Sequence, residues 1–206
     1  MFYQIMFTLA AIVFRIPYRI RVIGRKNLPR DRGYVLCANH ISAIDPVFVI
    51  EARGFGREMW VMGKEELFRN PFAGWFLRHV GVVPVERGRG DKTVLNEAIA
   101  SVREGRSMLI FPEGTRNKTG TPALLPLKSG AFVVAQSANA DIVPCRVIYK
   151  GGRQHLFGTV TVVFGEPIPI ASLDLGGEHS ASKLRAAKAV LAGRLEELYR
   201  NNRQYE

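Results

Sequence analysis

Cysteine is scarce in this chain: only Cys37 and Cys145 occur among 206 residues, and both lie within apolar runs. Two such residues exclude a disulfide-stabilised scaffold and favour a reducing compartment. A chain of this length can bury enough surface to fold without disulfides or a structural metal, and it fits one domain. Internal repeats, low-complexity segments and long linkers are also absent from the sequence, so nothing divides it further.

Acidic residues are missing from the first 30 positions, which nevertheless hold six arginines and lysines. The whole chain carries a net charge of +11, and so large an excess points to an anionic partner, either nucleic acid or an anionic membrane surface. The sequence has no helix-turn-helix, no aromatic RNA-binding motif and no Cys/His finger spacing. We therefore expect a membrane partner and no nucleic-acid partner.

No apolar run is long enough to span a bilayer. The N-terminal run 5–14 is apolar apart from Thr8, and it would cover about half of a hydrocarbon core of ~30 Å. Basic residues follow it and no small-residue cleavage site does, which disfavours a secretory signal. An apolar helix with a basic collar is typical of an interfacial anchor, and an ordinary buried helix is the alternative. We predict a membrane-interface helix over 1–17, holding the protein at the cytoplasmic face of a membrane as a peripheral or monotopic protein.

The rest of the chain alternates short apolar runs with amphipathic stretches. The runs predict strands at 19–23, 34–38, 59–62, 80–85, 107–111, 142–149 and 159–164. The stretches predict helices at 46–52, 64–79 with a break at 70–71, 92–104, 131–138 and around the leucines of 184–198. Such alternation predicts one α/β domain over 18–206, with a mainly parallel central sheet flanked by helices. In such sheets functional residues lie on loops beyond the carboxyl ends of strands.

The first polar cluster, NHISAIDP, directly follows the apolar run 34–38. Asp45 and Pro46 form a typical helix start, because Asp favours the N-cap and Pro the first helical position. Across a short loop the Asp45 carboxylate can hold one ring nitrogen of His40 and leave the other as a general base. The alternative is that Asp45 is only a cap and His40 an ordinary polar residue.

The second cluster, FPEGTR, follows the apolar run 107–111. Gly114 allows a backbone to approach a ligand closely, while Thr115 and Arg116 offer a hydroxyl and a planar guanidinium that suit phosphate. An ordinary turn with an exposed arginine is the alternative. Further cations stand at element junctions, and if they converge at one sheet edge they form an anion pocket. These cations are Lys64, Arg87 and Lys128.

Taken in this order, the segments resemble the glycerolipid acyltransferase family. NHISAID is similar to its His-x4-Asp block, FPEGTR to its phosphate-binding block and GVVPVERG to its intervening arginine block. Within the family, KEELF and FPEGTR resemble the 1-acylglycerol-3-phosphate (lysophosphatidate) branch. The resemblance covers about 22–164, and its departures are modest: Ile41 stands where Gln is frequent, and Pro84-Val85 replaces a bulkier apolar pair.

The resemblance implies transfer of a fatty acyl group from acyl-CoA or acyl carrier protein (ACP) to the sn-2 hydroxyl of lysophosphatidate, giving phosphatidic acid. It implies His40 as the base and Asp45 as the residue that orients it. The implied substrate-binding residues are Lys64, Arg87, Glu113, Gly114, Thr115 and Arg116. No metal and no cofactor beyond the acyl thioester is expected. An acyltransferase with another acceptor, such as glycerol 3-phosphate or a lysophospholipid, and a non-catalytic lipid-binding module remain the alternatives.

Three further hypotheses concern residues in or near these motifs. Cys37 could carry the acyl group, but a cysteine within an apolar strand is expected to be inert. The stretch LFRNPFAGWFL at 67–77 is rich in apolar and aromatic residues. It either lines an acyl channel, touches lipid or packs in the core. Glu113 either bonds the glycerol of the acceptor or braces Arg116.

Overall fold

The computed structural model describes residues 16–54, 58–79, 81–85, 92–176 and 181–206. Within them a seven-stranded sheet is flanked by helices, as predicted from the sequence. All but residues 16 and 17 of the predicted interface helix over 1–17 lie outside the described residues. Arg87 also lies outside them.

The sheet is mainly parallel, as predicted. Its spatial order is β1-β7-β6-β2-β5-β3-β4, and only β6 and β7 run antiparallel to each other. The strands are β1 (Arg19–Ile23), β2 (Val35–Ala38), β3 (Met59–Lys64), β4 (Val82–Val85), β5 (Ser107–Ile110), β6 (Ile142–Tyr149) and β7 (Thr159–Phe164).

Helices connect the strands and cover the sheet. They are α1 (Asp45–Arg53), α2 (Pro71–His79), α3 (Lys92–Arg103), α4 (Gly130–Ala138) and α5 (Ala181–Arg200). Short 3-10 turns occupy Arg25–Asn27, Glu65–Phe68, Ile170–Leu173 and Arg203–Tyr205.

The two faces of the sheet bury two separate hydrophobic cores, because successive residues of a strand point to opposite faces. In β2, Val35 and Cys37 belong to the core beneath α3, α4 and α5. Leu36 and Ala38 belong to the other core, which includes Phe48 of α1. All four β2 residues are buried, as expected for a central parallel strand covered on both faces.

The prediction of a helix from position 64 is wrong at its start. Strand β3 continues to Lys64, which pairs with Val85 of β4, and the 3-10 turn Glu65–Phe68 follows it. The α-helix begins only at Pro71, where the fixed φ of proline suits the first helical turn. Strand pairing therefore overrides the helical preference of the KEELF segment.

The parallel arrangement sends the loops after β2, β3 and β5 to one end of the sheet, which we call the carboxyl end. The loop after β2 carries His40, and the loop after β5 carries Glu113. Strand β6 extends past the end of β2, because Ala38 already pairs with Cys145 while β6 continues to Tyr149. The last residues of β6 therefore lie beside the loop that follows β2.

Candidate active site

His40 and Asp45 meet across the loop that joins β2 to α1. The Nδ1 atom of His40 lies 2.8 Å from Oδ2 of Asp45. Asp45 is fully buried, whereas the His40 side chain keeps 14% of its surface exposed. Because a carboxylate only accepts hydrogen bonds, Nδ1 carries the proton in the neutral ring and Nε2 presents a lone pair. The arrangement is that of an oriented general base.

Four donors surround the Asp45 carboxylate. The backbone N–H groups of Ile41 and Ser42 donate to Oδ2 at 2.6 and 2.8 Å, beside His40. On the other oxygen, the phenol of Tyr149 donates to Oδ1. Burial raises the pKa of Tyr149 and the neighbouring Asp45 charge raises it further, so the phenol keeps the proton that it donates. The carboxylate is thus fixed in position by groups on both of its oxygens.

The expectation that Asp45 caps its helix is wrong. Asp45 is the first residue of α1, the N-cap position falls on Ile44, and no side chain caps this helix. The Asp45 carboxylate instead turns back to the loop, where His40 and two backbone N–H groups need an acceptor. Pro46 does occupy the first helical turn.

The loop after β5 holds the backbone of His40 on both sides. The His40 N–H donates to Oε1 of Glu113 at 2.9 Å, and the Asn117 N–H donates to the His40 carbonyl at 2.7 Å. The His40 ring also stacks on Phe111, with 4.1 Å between centroids and 24° between planes. His40 is therefore positioned by the FPEGTR loop as well as by its own.

Glu113 has a role that the sequence did not predict. It is 3% exposed, and its second oxygen accepts a hydrogen bond from the Leu125 N–H at 2.8 Å. Both carboxylate oxygens therefore bond to backbone N–H groups, of His40 and of Leu125. Glu113 thus joins the His40 loop to the segment around Leu125, while its expected contact with the acceptor or with Arg116 stays a prediction.

Gly114 occupies a backbone conformation that favours glycine. Its φ of +69° lies in the left-handed region, which side chains disfavour. A Cβ built there would lie 2.7 Å from Cδ and Cε of Lys128 and 2.8 Å from its Nζ. The space where a Cβ would lie holds the side chain of Lys128, and the expected approach of a ligand to the Gly114 backbone stays a prediction. Lys128 therefore adds a second cation to this turn, in addition to Arg116. Both Arg116 and Thr115 are exposed.

The other predicted site residues that the structure describes lie at the carboxyl end of the sheet. Lys64 ends β3 there, and Thr115 and Arg116 follow β5 at that same end. The match of residues 19–148 to the protein-family model described as Acyltransferase agrees with this site. The chain belongs to the acyltransferase family.

Relatives of this acyltransferase carry a more specific name. A 1-acyl-sn-glycerol-3-phosphate acyltransferase of Bacillus subtilis (strain 168) is 32% identical over 181 residues, which are 87% of each chain. An enzyme of the same name from Saccharomyces cerevisiae is 35% identical over 128 residues, which are 61% of this chain and 41% of the yeast protein. The crystal structure of the 1-acyl-sn-glycerophosphate acyltransferase from Thermotoga maritima shares the fold, with a TM-score of 0.69 at 24% identity over 95% of this chain and 79% of that one.

Asn39 and Arg146 make buried contacts next to the candidate site of the acyltransferase that the sequence did not predict. The Asn39 amide donates to the Val147 carbonyl at 3.1 Å and accepts from the Val147 N–H at 2.7 Å. Arg146 is 2% exposed, and its guanidinium donates to the Pro122 carbonyl and lies 5.0 Å from the centre of the Tyr199 ring. Burial lowers the pKa of Arg146, an effect opposed by nearby acidic groups.

The sequence contains one signal for these contacts. An arginine in the otherwise apolar run IVPCRVIY needs partners if the strand is buried. Arg146 donates a hydrogen bond to the Pro122 carbonyl. In the same segment, the Ala123 carbonyl accepts a hydrogen bond from the Asn117 side-chain amide. The Leu125 N–H donates to the Glu113 carboxylate. The segment 122–125 thus connects the core of the sheet to the loop that holds His40.

Cys37 cannot act as the acyl carrier of the acyltransferase. Its side chain is completely buried, and burial raises the pKa of its thiol. The nucleophile in thiol chemistry is the thiolate, which this environment suppresses.

Among the described helices, none combines the length and apolar character needed to cross a membrane.

Proposed function

We propose that this acyltransferase transfers a fatty acyl group from an acyl thioester to the sn-2 hydroxyl of 1-acyl-glycerol-3-phosphate, giving phosphatidic acid. The observation that carries the proposal is the distance of 2.8 Å between Nδ1 of His40 and Oδ2 of Asp45. The loop that carries His40 is hydrogen-bonded to the loop after β5, which also carries Arg116. The names of the Bacillus subtilis and Saccharomyces cerevisiae relatives support this choice of acceptor.

In the proposed reaction, Nε2 of His40 removes the proton of the acceptor hydroxyl as its oxygen attacks the thioester carbonyl. The tetrahedral intermediate collapses, the C–S bond breaks and an ester remains. A thiol with a pKa of about 8.5 is a good leaving group, and the departing sulfur takes its proton from the imidazolium of His40. Asp45 stabilises that imidazolium and keeps its ring oriented. No covalent acyl-enzyme is needed.

The acceptor phosphate is proposed to bind at the turn after β5. Arg116 and Thr115 are exposed there, and a guanidinium beside a hydroxyl suits a phosphate. Lys128, which lies across Gly114, adds a cation to this turn, and Lys64 and Arg87 are proposed as further partners. Holding the phosphate places the sn-2 hydroxyl near His40 and removes the entropic cost of finding it.

The donor and the location of the protein are also proposals. Both acyl-CoA and acyl-ACP present the thioester that the mechanism needs. The net charge of +11 suits an anionic membrane, and we propose that the protein works at the cytoplasmic face of the membrane that contains its acceptor. No metal and no cofactor takes part in the proposed steps.

Thiol release from palmitoyl-CoA with lysophosphatidate in mixed micelles tests the proposal. Wild type should release thiol only when the acceptor is present, and His40→Ala and Asp45→Asn should each lose at least a hundredfold of the turnover. Asp174→Asn is the matched control, because Asp174 is an exposed aspartate paired with Lys183 at the surface. Its turnover should equal that of wild type.

Two results would overturn the proposal. Substantial turnover in His40→Ala would show that His40 is not the general base. Binding of lysophosphatidate without thiol release, from palmitoyl-CoA and from palmitoyl-ACP alike, would indicate a lipid-binding module. Competition with glycerol 3-phosphate and with other lysophospholipids decides the acceptor, since lysophosphatidate should give the highest kcat/KM.

A further inference from the structure

The exposed large apolar side chains of the described residues form two groups, and one further residue lies alone on α5. The most exposed among the described residues are Ile16, Leu67, Phe72, Trp75, Leu156, Phe157 and Val190. Leu67, Phe72 and Trp75 lie in the connection from β3 to β4, and the rings of Phe72 and Trp75 stack with 6.3 Å between centroids. We call these three residues the β3–β4 cluster.

The second group, the β6–β7 cluster, consists of Ile16, Leu156 and Phe157. Leu156 and Phe157 lie in the connection between β6 and β7, and Ile16 lies just before β1. The two segments adjoin each other, because the Arg19 N–H donates to the Gly158 carbonyl at 3.1 Å. The apolar side chains of this cluster are 64 to 77% exposed.

Sheet topology places both clusters at the carboxyl end. The β3–β4 cluster begins shortly after Lys64, the last residue of β3. Strand β6 is parallel to β2, so the connection after Tyr149 also emerges at that end, and β1 starts beside Thr159. In the order β1-β7-β6-β2-β5-β3-β4, β2 and β5 lie between the strands that carry the clusters. The loops after β2 and β5, which hold His40 and Glu113, are therefore flanked by an apolar cluster on each side.

Positive charge predominates around the β6–β7 cluster, whereas the connection from β3 to β4 carries both signs. The connection 150–158, KGGRQHLFG, contains two cations and a histidine and no acidic residue. Arg19, Lys150 and Arg153 are all exposed around the β6–β7 cluster. Arg69 and Arg78, likewise exposed, flank the aromatic pair of the β3–β4 cluster in sequence, while the exposed Glu65 and Glu66 directly precede Leu67. Apolar side chains surrounded by cations are typical of surfaces that bind anionic leaflets, and the β6–β7 cluster has this character.

Phe157 adds an independent observation. Its φ is +60°, which is costly for a bulky side chain and easy for glycine. The strained backbone presents an aromatic ring that is 73% exposed, so burial within the described domain does not offset the strain. Burial of the ring in a partner would offset the strain.

We propose that the two clusters form one docking face, on which the acyltransferase rests against an anionic phospholipid leaflet with the His40 site between them. The inference rests on the proposed function for its biological sense, since a lipid acceptor would then enter from the leaflet directly beneath His40. Insertion of Phe157, Leu156, Phe72 and Trp75 supplies the apolar contact, and the cations around the β6–β7 cluster supply attraction to anionic headgroups.

Tryptophan fluorescence tests the docking face at single positions. The chain has two tryptophans, and Trp60 packs against the core, so Trp60→Phe leaves Trp75 as the only reporter. In the Trp60→Phe/Trp75→Phe background, Phe157→Trp reports the β6–β7 cluster and Val190→Trp reports the exposed face of α5. Each protein is mixed with vesicles of phosphatidylglycerol and phosphatidylcholine, with and without phospholipids brominated along their acyl chains.

Docking as proposed predicts blue-shifted emission and quenching by brominated lipid for Trp75 and for the reporter introduced at position 157. The reporter introduced at position 190 should show neither change. Equal quenching at all three positions, quenching of only one cluster, or vesicle binding without quenching of either would overturn the proposal. Absence of binding to the anionic vesicles would overturn it as well.

A second measurement does not depend on replacing tryptophan. Phe157→Gly should raise the melting temperature by relieving the positive-φ strain, yet lower vesicle binding in sedimentation at least fivefold. Val190→Ala serves as the control for loss of an exposed apolar residue and should leave binding unchanged. Unchanged binding by Phe157→Gly would contradict the docking face. Because neither measurement uses turnover, vesicle docking can fail while thiol release in micelles succeeds, and the reverse.

Discussion

Tyr149 and Asp45 stand 104 positions apart in the chain, yet the phenol of the first donates a hydrogen bond to the buried carboxylate of the second. The contact exists because β6 extends past the end of β2, so that its last residue lies beside the loop carrying His40. Asp45 is thereby held from the sheet side through Oδ1 and from the loop side through Oδ2.

Removing that phenol should impair catalysis more than binding. In Tyr149→Phe the ring keeps its edge contact with Phe48, while Oδ1 of Asp45 loses its donor in a buried position. We expect the free energy of unfolding to fall by about 1–3 kcal/mol and kcat to fall about tenfold, with the KM for the acceptor unchanged. Urea unfolding and steady-state kinetics measure these quantities. Tyr34→Phe is the control, because Tyr34 is buried and its hydroxyl bonds Arg53 instead; an equal loss of kcat there would contradict the prediction.

Glu113 should behave as a positioning residue. In Glu113→Gln one oxygen can still accept, but the amide group meets a backbone N–H, of His40 or of Leu125, with another donor. The free energy of unfolding should fall by about 1–3 kcal/mol, and kcat should fall with little change in the KM for lysophosphatidate. Arg116→Ala should show the opposite pattern, a KM raised tenfold or more, because it removes the proposed phosphate contact. A large KM effect in Glu113→Gln would instead indicate direct contact with the substrate.

A pair of glycines separates the two reasons for glycine at position 114. Gly114 and Gly120 have nearly equal φ angles of +69° and +73°, but of the two only Gly114 would bring a Cβ against a neighbour, the Lys128 side chain. Gly120→Ala should therefore lose about 1 kcal/mol of unfolding free energy from backbone strain alone. Gly114→Ala should lose more and should also raise the KM for lysophosphatidate, because Lys128 is displaced. In the double variant Gly114→Ala/Lys128→Ala, thermal denaturation should match the loss seen for Gly120→Ala; a loss as large as in Gly114→Ala would exclude Lys128 as the cause.

Alkaline pH should destabilise the protein through its two cysteines. Burial raises the pKa of the Cys37 thiol and of the Cys145 thiol, so the folded state keeps protons that the unfolded state loses above about pH 8.5. The contribution of these thiols to stability is therefore full below that pH and decreases as pH rises, by about 1.4 kcal/mol per pH unit for each thiol. Urea unfolding between pH 8 and 10 should show a slope that is shallower by this amount in Cys37→Ala, and shallower again in Cys37→Ala/Cys145→Ala. If the unfolding free energy fell with pH at the same rate in all three proteins, the two thiols would not be the cause of the alkaline destabilisation.

Local patterns of the sequence predicted the strands well, because each buried strand is a short apolar run bounded by polar residues. All seven predicted strands are present, and the mainly parallel order follows from their alternation with helices. The end of β3 was misplaced because Lys64 and the residues after it favour a helix when considered alone. Pairing with Val85 extends the strand, and that contact is invisible in a local window.

The site was predictable where it depends on spacing and not where it depends on tertiary contacts. His40 and Asp45 lie five positions apart, so their meeting across a loop could be derived from sequence. The contacts of Glu113 with His40 and of Tyr149 with Asp45 span 73 and 104 positions. The roles of such residues emerge only when the strand register is known.

The amide of Asn39 satisfies both backbone groups of Val147, and this has a consequence for local opening of the molecule. Strand β6 keeps its hydrogen bonding beyond the end of β2, although the main chain at His40 has already turned away. The Val147 amide proton should consequently exchange with solvent only on global unfolding, together with the central strands. Since Asn39 is the neighbour of His40, we expect the loop that carries His40 to open together with the sheet and not independently of it.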